Sequence, residues 1–197
     1  MKPPRAWPRA WNINTPPVYH PLHEEDRATT ENILPNHTDH GATTFLRSQP
    51  VSCLQILGKD QKWRWVPYRK GALVCNLGDV MEILSGGILK ATRHRAPVDQ
   101  QDYERVSVCS FNHADQDLIL EPLHDAPLIK QVGLQRDSEV YGGFCSATER
   151  GEEIPKFGEW KTLRNKNAQE PTSKLVEIDG VPHREHIVGG IKVYRQV

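Results

Sequence analysis

The stretch WRWVPYRKGALVCNLGDVMEILSGGILKATRHR, residues 63–95, is a succession of short apolar runs broken by turn residues. The same texture continues on both sides. TTFLRS (43–48), VSCLQIL (51–57), KWRWV (62–66), ALVCNL (72–77), DVMEIL (79–84), ILKATRHR (88–95) and RVSVCSF (105–111) are each of strand length. Gly58-Lys59-Asp60, Gly71 and Gly86-Gly87 are the expected hairpin turns. In KWRWV the alternation sets Trp63 and Trp65 on one face, as in a half-buried strand. Closely spaced strands with no helical period between them predict an antiparallel sandwich or barrel, and jelly rolls, cupins included, lead that class.

Outside this block the patterning weakens. Residues 1–33 are rich in Pro, Trp, Asn and His and read as an irregular arm, with one short strand near Val18 and Tyr19. Beyond Pro122 the sequence reads as a loop and short-helix extension. Residues 157–167 are expected to form a surface helix, and the run IVGGIKVY near the end a last strand.

The chain has 197 residues, with 25 basic and 25 acidic side chains interspersed. No basic face of the kind nucleic-acid binders carry is visible. No apolar run reaches membrane-spanning length, and the start MKPPRAWPRAW lacks a signal peptide's apolar centre. Cys53, Cys75, Cys109 and Cys145 form no C-x-x-C pair; three of them sit in apolar, strand-like runs where a small buried thiol is expected, and a reducing cytoplasm fits. No specific protein partner is implied.

The chemistry is concentrated in five residues. His37-Thr38-Asp39 is followed, across the β-rich stretch, by a lone His94, and then by Arg105-Val106-Ser107. Residues i and i+2 of a strand share a face, so His37 and Asp39 can point to one ion, with Arg105 and Ser107 inward together. Two imidazoles and one carboxylate are the facial triad of non-haem iron(II) oxygenases, which leaves the other positions open. A dicarboxylate bound there would find in Arg105 a planar fork for its far end and in Ser107 a further donor. Arg105 and its strand are expected to run beside the strand of His94. Thr44 and Leu46, after H-x-D, are expected to line a substrate pocket. A zinc site from His183 and His186, or from His20, His23 and His40, lacks a matching Cys pair, so these read as solvated loop histidines. Trp63, Trp65 and Tyr68 read as packing rather than a base-stacking platform.

HTDHGATTFL, the 63–95 stretch and ERVSVCSFNHADQDLILEPL together resemble the iron(II)/2-oxoglutarate dioxygenases of the isopenicillin N synthase-like group. The resemblance runs from about Leu34 to Pro127 and divides the chain into an arm (1–33), a catalytic core (34–127) and an extension (128–197). It implies a double-stranded β-helix, mainly β, with Fe(II) on His37, Asp39 and His94. It further implies 2-oxoglutarate on Arg105 and Ser107, with Tyr19 as the tyrosine that family members place near the co-substrate. Asn76-Leu77-Gly78-Asp79 matches the family's N-x-G-D turn, read as architectural. The implied reaction uses O2 to hydroxylate or desaturate a small organic molecule, giving succinate and CO2. Two alternatives stay open: a truncated, non-catalytic metal-binding relative, and a same-fold oxidase that does not use 2-oxoglutarate.

Family members carry a long front of helices and strands that braces the barrel, whereas here His37 comes early. The expectation is therefore a fragment, a truncated gene model or a shortened paralogue, with barrel faces left open to association.

Overall fold

A computed structural model describes residues 12–14, 17–20, 32–97, 105–169, 174–178, 180–188 and 191–196. They divide into two compact units. One is Asn12–Gly78 with Ala91–His113, and the other holds Asp79–Lys90 and Ala114–Val197.

The first unit is a mainly β jelly roll of two antiparallel sheets. One sheet orders β1 (Asn12–Asn14), β9 (Arg105–His113), β4 (Thr43–Arg47) and β7 (Leu73–Leu77), with β2 (Pro17–His20) also on β9. The other orders β3 (Asn32–His37), β8 (His94–Pro97), β5 (Gln55–Leu57) and β6 (Trp63–Trp65). Side chains alternate as the pleat requires. Thr44 is buried and Phe45 exposed on β4; Ser107 is buried between exposed Val106 and Val108 on β9. The β5–β6 hairpin closes at Gly58, whose N–H donates to the Lys62 carbonyl, as the turn reading expected. Arg95 lies over the Trp63 ring at 4.2 Å, so that tryptophan packs within the sheet.

Several expectations are corrected. DVMEIL is not a strand but α1 (Asp79–Leu84), with Val80 and Ile83, one helical turn apart, both fully buried. Gly86 and Gly87 are accordingly not a hairpin turn. At φ 63° and 79° they end α1, their N–H groups donating to the Ile83 and Glu82 carbonyls. The run 88–95 forms a strand only from His94 onward. β9 does not run beside β8; it pairs with β4, β1 and β2 in the opposite sheet, because the chain changes sheets between β8 and β9.

The second unit holds α1, α2 (Pro127–Val132), α3 (Glu139–Glu149) and α4 (Phe157–Gln169), with α1 packed on α3. A three-stranded sheet of β10 (Lys174–Ile178), β11 (Val181–Val188) and β12 (Ile191–Gln196) completes it, with α3 against β12 and α4 against β11. The tail is thus a pair of strands, not one. The surface helix expected over 157–167 is α4, exposed at Glu159, Thr162 and Leu163, but its inner face carries Phe157 and Trp160, the largest fully buried side chains among the described residues. Asp79, at the start of α1, is buried and forms an ion pair with Arg164 of α4. Among the described residues, no helix is long and apolar enough to cross a membrane.

Candidate metal centre

Three of the expected residues meet at one point. His37 ends β3 and His94 opens β8, and the two are direct cross-strand partners. Asp39 follows two residues after His37, past the end of the strand. Nε2 of His37 lies 3.6 Å from Asp39 Oδ1, and Nε2 of His94 lies 3.7 Å from the same oxygen. The two imidazole centroids are 4.3 Å apart. Among the described residues this is the one cluster of three or more His, Cys, Asp or Glu side chains placed to share a metal ion, its ligand atoms all lying within 4.8 Å of one another.

The remaining heteroatom of each of these side chains is committed elsewhere. Nδ1 of His37 donates to the Pro35 carbonyl at 2.7 Å and Nδ1 of His94 to the Thr92 carbonyl at 3.0 Å. A carbonyl can only accept, so Nδ1 carries the hydrogen and Nε2 presents its lone pair. Asp39 Oδ2 accepts from Thr44 Oγ1 at 2.6 Å and Asn76 Nδ2 at 2.8 Å, which leaves Oδ1. Two nitrogen lone pairs and a carboxylate oxygen aimed at one point repel unless a cation stands between them. The donor set fits a divalent first-row metal of intermediate softness.

The ionisation states agree with this. Burial pushes the Asp39 carboxyl up, but the neighbouring His37 and His94 rings and the Thr44 and Asn76 donors outweigh it and hold the acid well below the usual carboxylate range. Burial, then the neighbouring His37, pushes His94 down against the opposing pull of Asp39 and the Thr92 carbonyl. A neutral imidazole is the form that binds a metal.

The triad opens on a cavity of about 520 Å³ between the two sheets of this unit. Thr44 and Leu46 of β4 and Ser107 of β9 line it. The Thr44 hydroxyl, however, is given to Asp39. The rest of the wall is chiefly aliphatic or sulfur-bearing, including Leu54, Ile56, Val66, Val74 and Cys109. Arg105 opens β9 two positions before Ser107, in register with His20; Val18 is opposite Ser107, and Tyr19 opposite Val106.

The other histidines take different places. His183 and His186 are on β11 and His20 on β2, in strands rather than loops. His40 stacks on His113 with centroids 5.0 Å apart. His23 lies outside the described residues. Sequence reasoning missed Asn76 and Thr44 as partners of Asp39. The signal was Asn76 in a strand otherwise apolar, where a half-buried amide facing the cavity needs a partner.

A family model described as the 2OG-Fe(II) oxygenase superfamily matches residues 13–114, just over half of the chain. A 1-aminocyclopropane-1-carboxylate oxidase of Diospyros kaki is 38% identical over 109 residues, 55% of this chain and 32% of that protein. S-norcoclaurine synthase 1 of Coptis japonica is 38% identical over 103 residues, 52% of this chain and 28% of that protein. The solved structure of dioxygenase for auxin oxidation 1 from Arabidopsis thaliana, in binary complex with 2-oxoglutarate, superposes with a TM-score of 0.53. It is 25% identical, covering 58% of this chain and 43% of that one. The chain spans about a third of the length of the curated relatives it matches.

Proposed function

This chain belongs to the 2OG-Fe(II) oxygenase superfamily, and on that premise we propose that it is an iron(II)- and 2-oxoglutarate-dependent oxygenase of a small organic metabolite. The observation that carries the proposal is the convergence of two Nε2 lone pairs and one carboxylate oxygen, each side chain's other heteroatom being hydrogen-bonded away. In this reading His37, Asp39 and His94 hold the iron on one side and leave the cavity side open.

Iron(II), with 2-oxoglutarate and O2, supplies the oxidising power to hydroxylate or desaturate a C–H bond, with succinate and CO2 as co-products. The chain's own residues do the positioning. Ser107 and Arg105 would bind the far carboxylate of 2-oxoglutarate, a planar guanidinium being suited to a carboxylate through charge-assisted hydrogen bonds. Leu46 and the aliphatic wall exclude water and receive the substrate, which supports a molecule with an apolar body. The cysteines are free among the described residues, which supports action in a reducing cytoplasm.

The test is succinate formation by the purified chain with Fe(II), 2-oxoglutarate and O2, quantified by mass spectrometry against matched reactions lacking each component. Succinate that needs all three supports the proposal. Oxidation of an added substrate without 2-oxoglutarate would replace it with the oxidase reading.

A further inference from the structure

We infer that Thr44 and Asn76 are positioning residues that make Asp39 a one-oxygen ligand and so keep a coordination position clear for the co-substrate. The inference rests on the metal reading above and adds to it a role for residues that touch no metal themselves.

The argument starts with register. Thr44 of β4 and Asn76 of β7 are direct cross-strand partners, so their side chains leave the sheet side by side on one face. Both donate to the same atom, Asp39 Oδ2, at 2.6 and 2.8 Å. A carboxylate oxygen has about two lone-pair sites, and two donors fill them. Oδ2 therefore has no site left for a metal, while Oδ1 faces both imidazoles. Without the two donors the carboxylate would be able to turn and chelate through both oxygens. The second oxygen would then compete with a diacid that itself needs two positions.

The loop that carries Asp39 lies against Gly78, the residue just after this strand. The Gly78 N–H donates to the Ala42 carbonyl at 2.9 Å. A Cβ at position 78 would come within 2.2 Å of the Gly41 carbonyl oxygen and 2.7 Å of that of Asp39. Asn76-Leu77-Gly78 thus works as a unit: the side chain at 76 holds the carboxylate, and the missing side chain at 78 lets the ligand loop approach. That gives the Asn-x-Gly turn a part in the metal centre that an architectural reading omits.

The test compares Thr44→Val, which keeps the shape and loses the donor, with Thr44→Ser, which restores it, and with Asn76→Leu. Fe(II) affinity is measured by anaerobic calorimetry, then 2-oxoglutarate affinity at saturating Fe(II), with circular dichroism as the check on folding. Thr44→Val and Asn76→Leu are each expected to weaken 2-oxoglutarate affinity by about 10-fold, the scale of losing a group that orients a ligand, while Fe(II) affinity is retained because the freed oxygen can itself chelate, with Thr44→Ser recovering the 2-oxoglutarate affinity. Folded variants with unchanged 2-oxoglutarate affinity would overturn the inference while the metal reading stands. Should Asn76→Leu not fold, the two Thr44 variants decide alone. An unaltered chain that takes up no Fe(II) would refute the metal reading, and this inference with it.

Discussion

Nε2 of His94 stands 3.7 Å from Oδ1 of Asp39, while the ring's other nitrogen is held by the Thr92 carbonyl at 3.0 Å. A buried imidazole so oriented contributes its lone pair to one point only. His94→Ala should lower Fe(II) affinity by at least about 100-fold, the upper end of what losing an orienting partner alone costs. The β8 ladder uses the backbone of His94, so the circular dichroism spectrum should persist. Anaerobic calorimetry beside circular dichroism checks both halves, and Fe(II) bound normally by the variant would remove His94 from the site.

Leu46 lines the cavity on β4 between Val74 and Cys109 in register. Leu46→Trp should narrow this space and leave the triad untouched. The expected result is 2-oxoglutarate binding lost or weakened by about 10-fold or more, with Fe(II) affinity retained. Equal loss of both would mean that the substitution disturbs the sheet rather than the cavity.

Glu82 in the second unit, 1% exposed, caps α3: its Oε1 accepts the N–H of Val140 at 2.8 Å and of Tyr141 at 3.3 Å. Glu82→Ala leaves these two buried donors without their acceptor and should cost about 1–3 kcal/mol in urea denaturation. Glu82→Gln keeps an acceptor and should cost less.

The Asp79–Arg164 pair carries a different risk. Asp79 is 1% exposed, and Arg164 lies over the Trp160 ring at 5.2 Å. Arg164→Met strands a buried carboxylate and should destabilise by about 3–5 kcal/mol. The double change Asp79→Asn with Arg164→Met should recover much of that loss. A double variant as unstable as the single one would show that the arginine acts through packing alone.

The readable parts of this chain were those in which chemistry is local. His37-Thr38-Asp39 and the Gly58 turn declare themselves within a few residues, and the β texture from 43 to 77 is held by alternation at short range. DVMEIL misled because six residues, apolar at four places, fit either a strand or a turn and a half of helix. The i,i+3 spacing of Val80 and Ile83 before Gly86-Gly87 marks the helix. EVYGGFCSATE was hidden by its two central glycines, which lower helix propensity. Val140, Tyr141, Phe144 and Ala147 nevertheless form a buried stripe, and the cap comes from Glu82, far away in sequence. The placement of β9 and the pairing of Thr44 with Asn76 depend on which sheet each strand joins. No window of sequence contains that.

The most direct measurement is an anaerobic titration of the metal-free chain with Fe(II) and then 2-oxoglutarate, followed by visible absorption and repeated with His94→Ala and Arg105→Ala. The account predicts a weak charge-transfer band that needs both additions, is absent in His94→Ala and needs more 2-oxoglutarate in Arg105→Ala. A folded chain that gives no band with both present would contradict it.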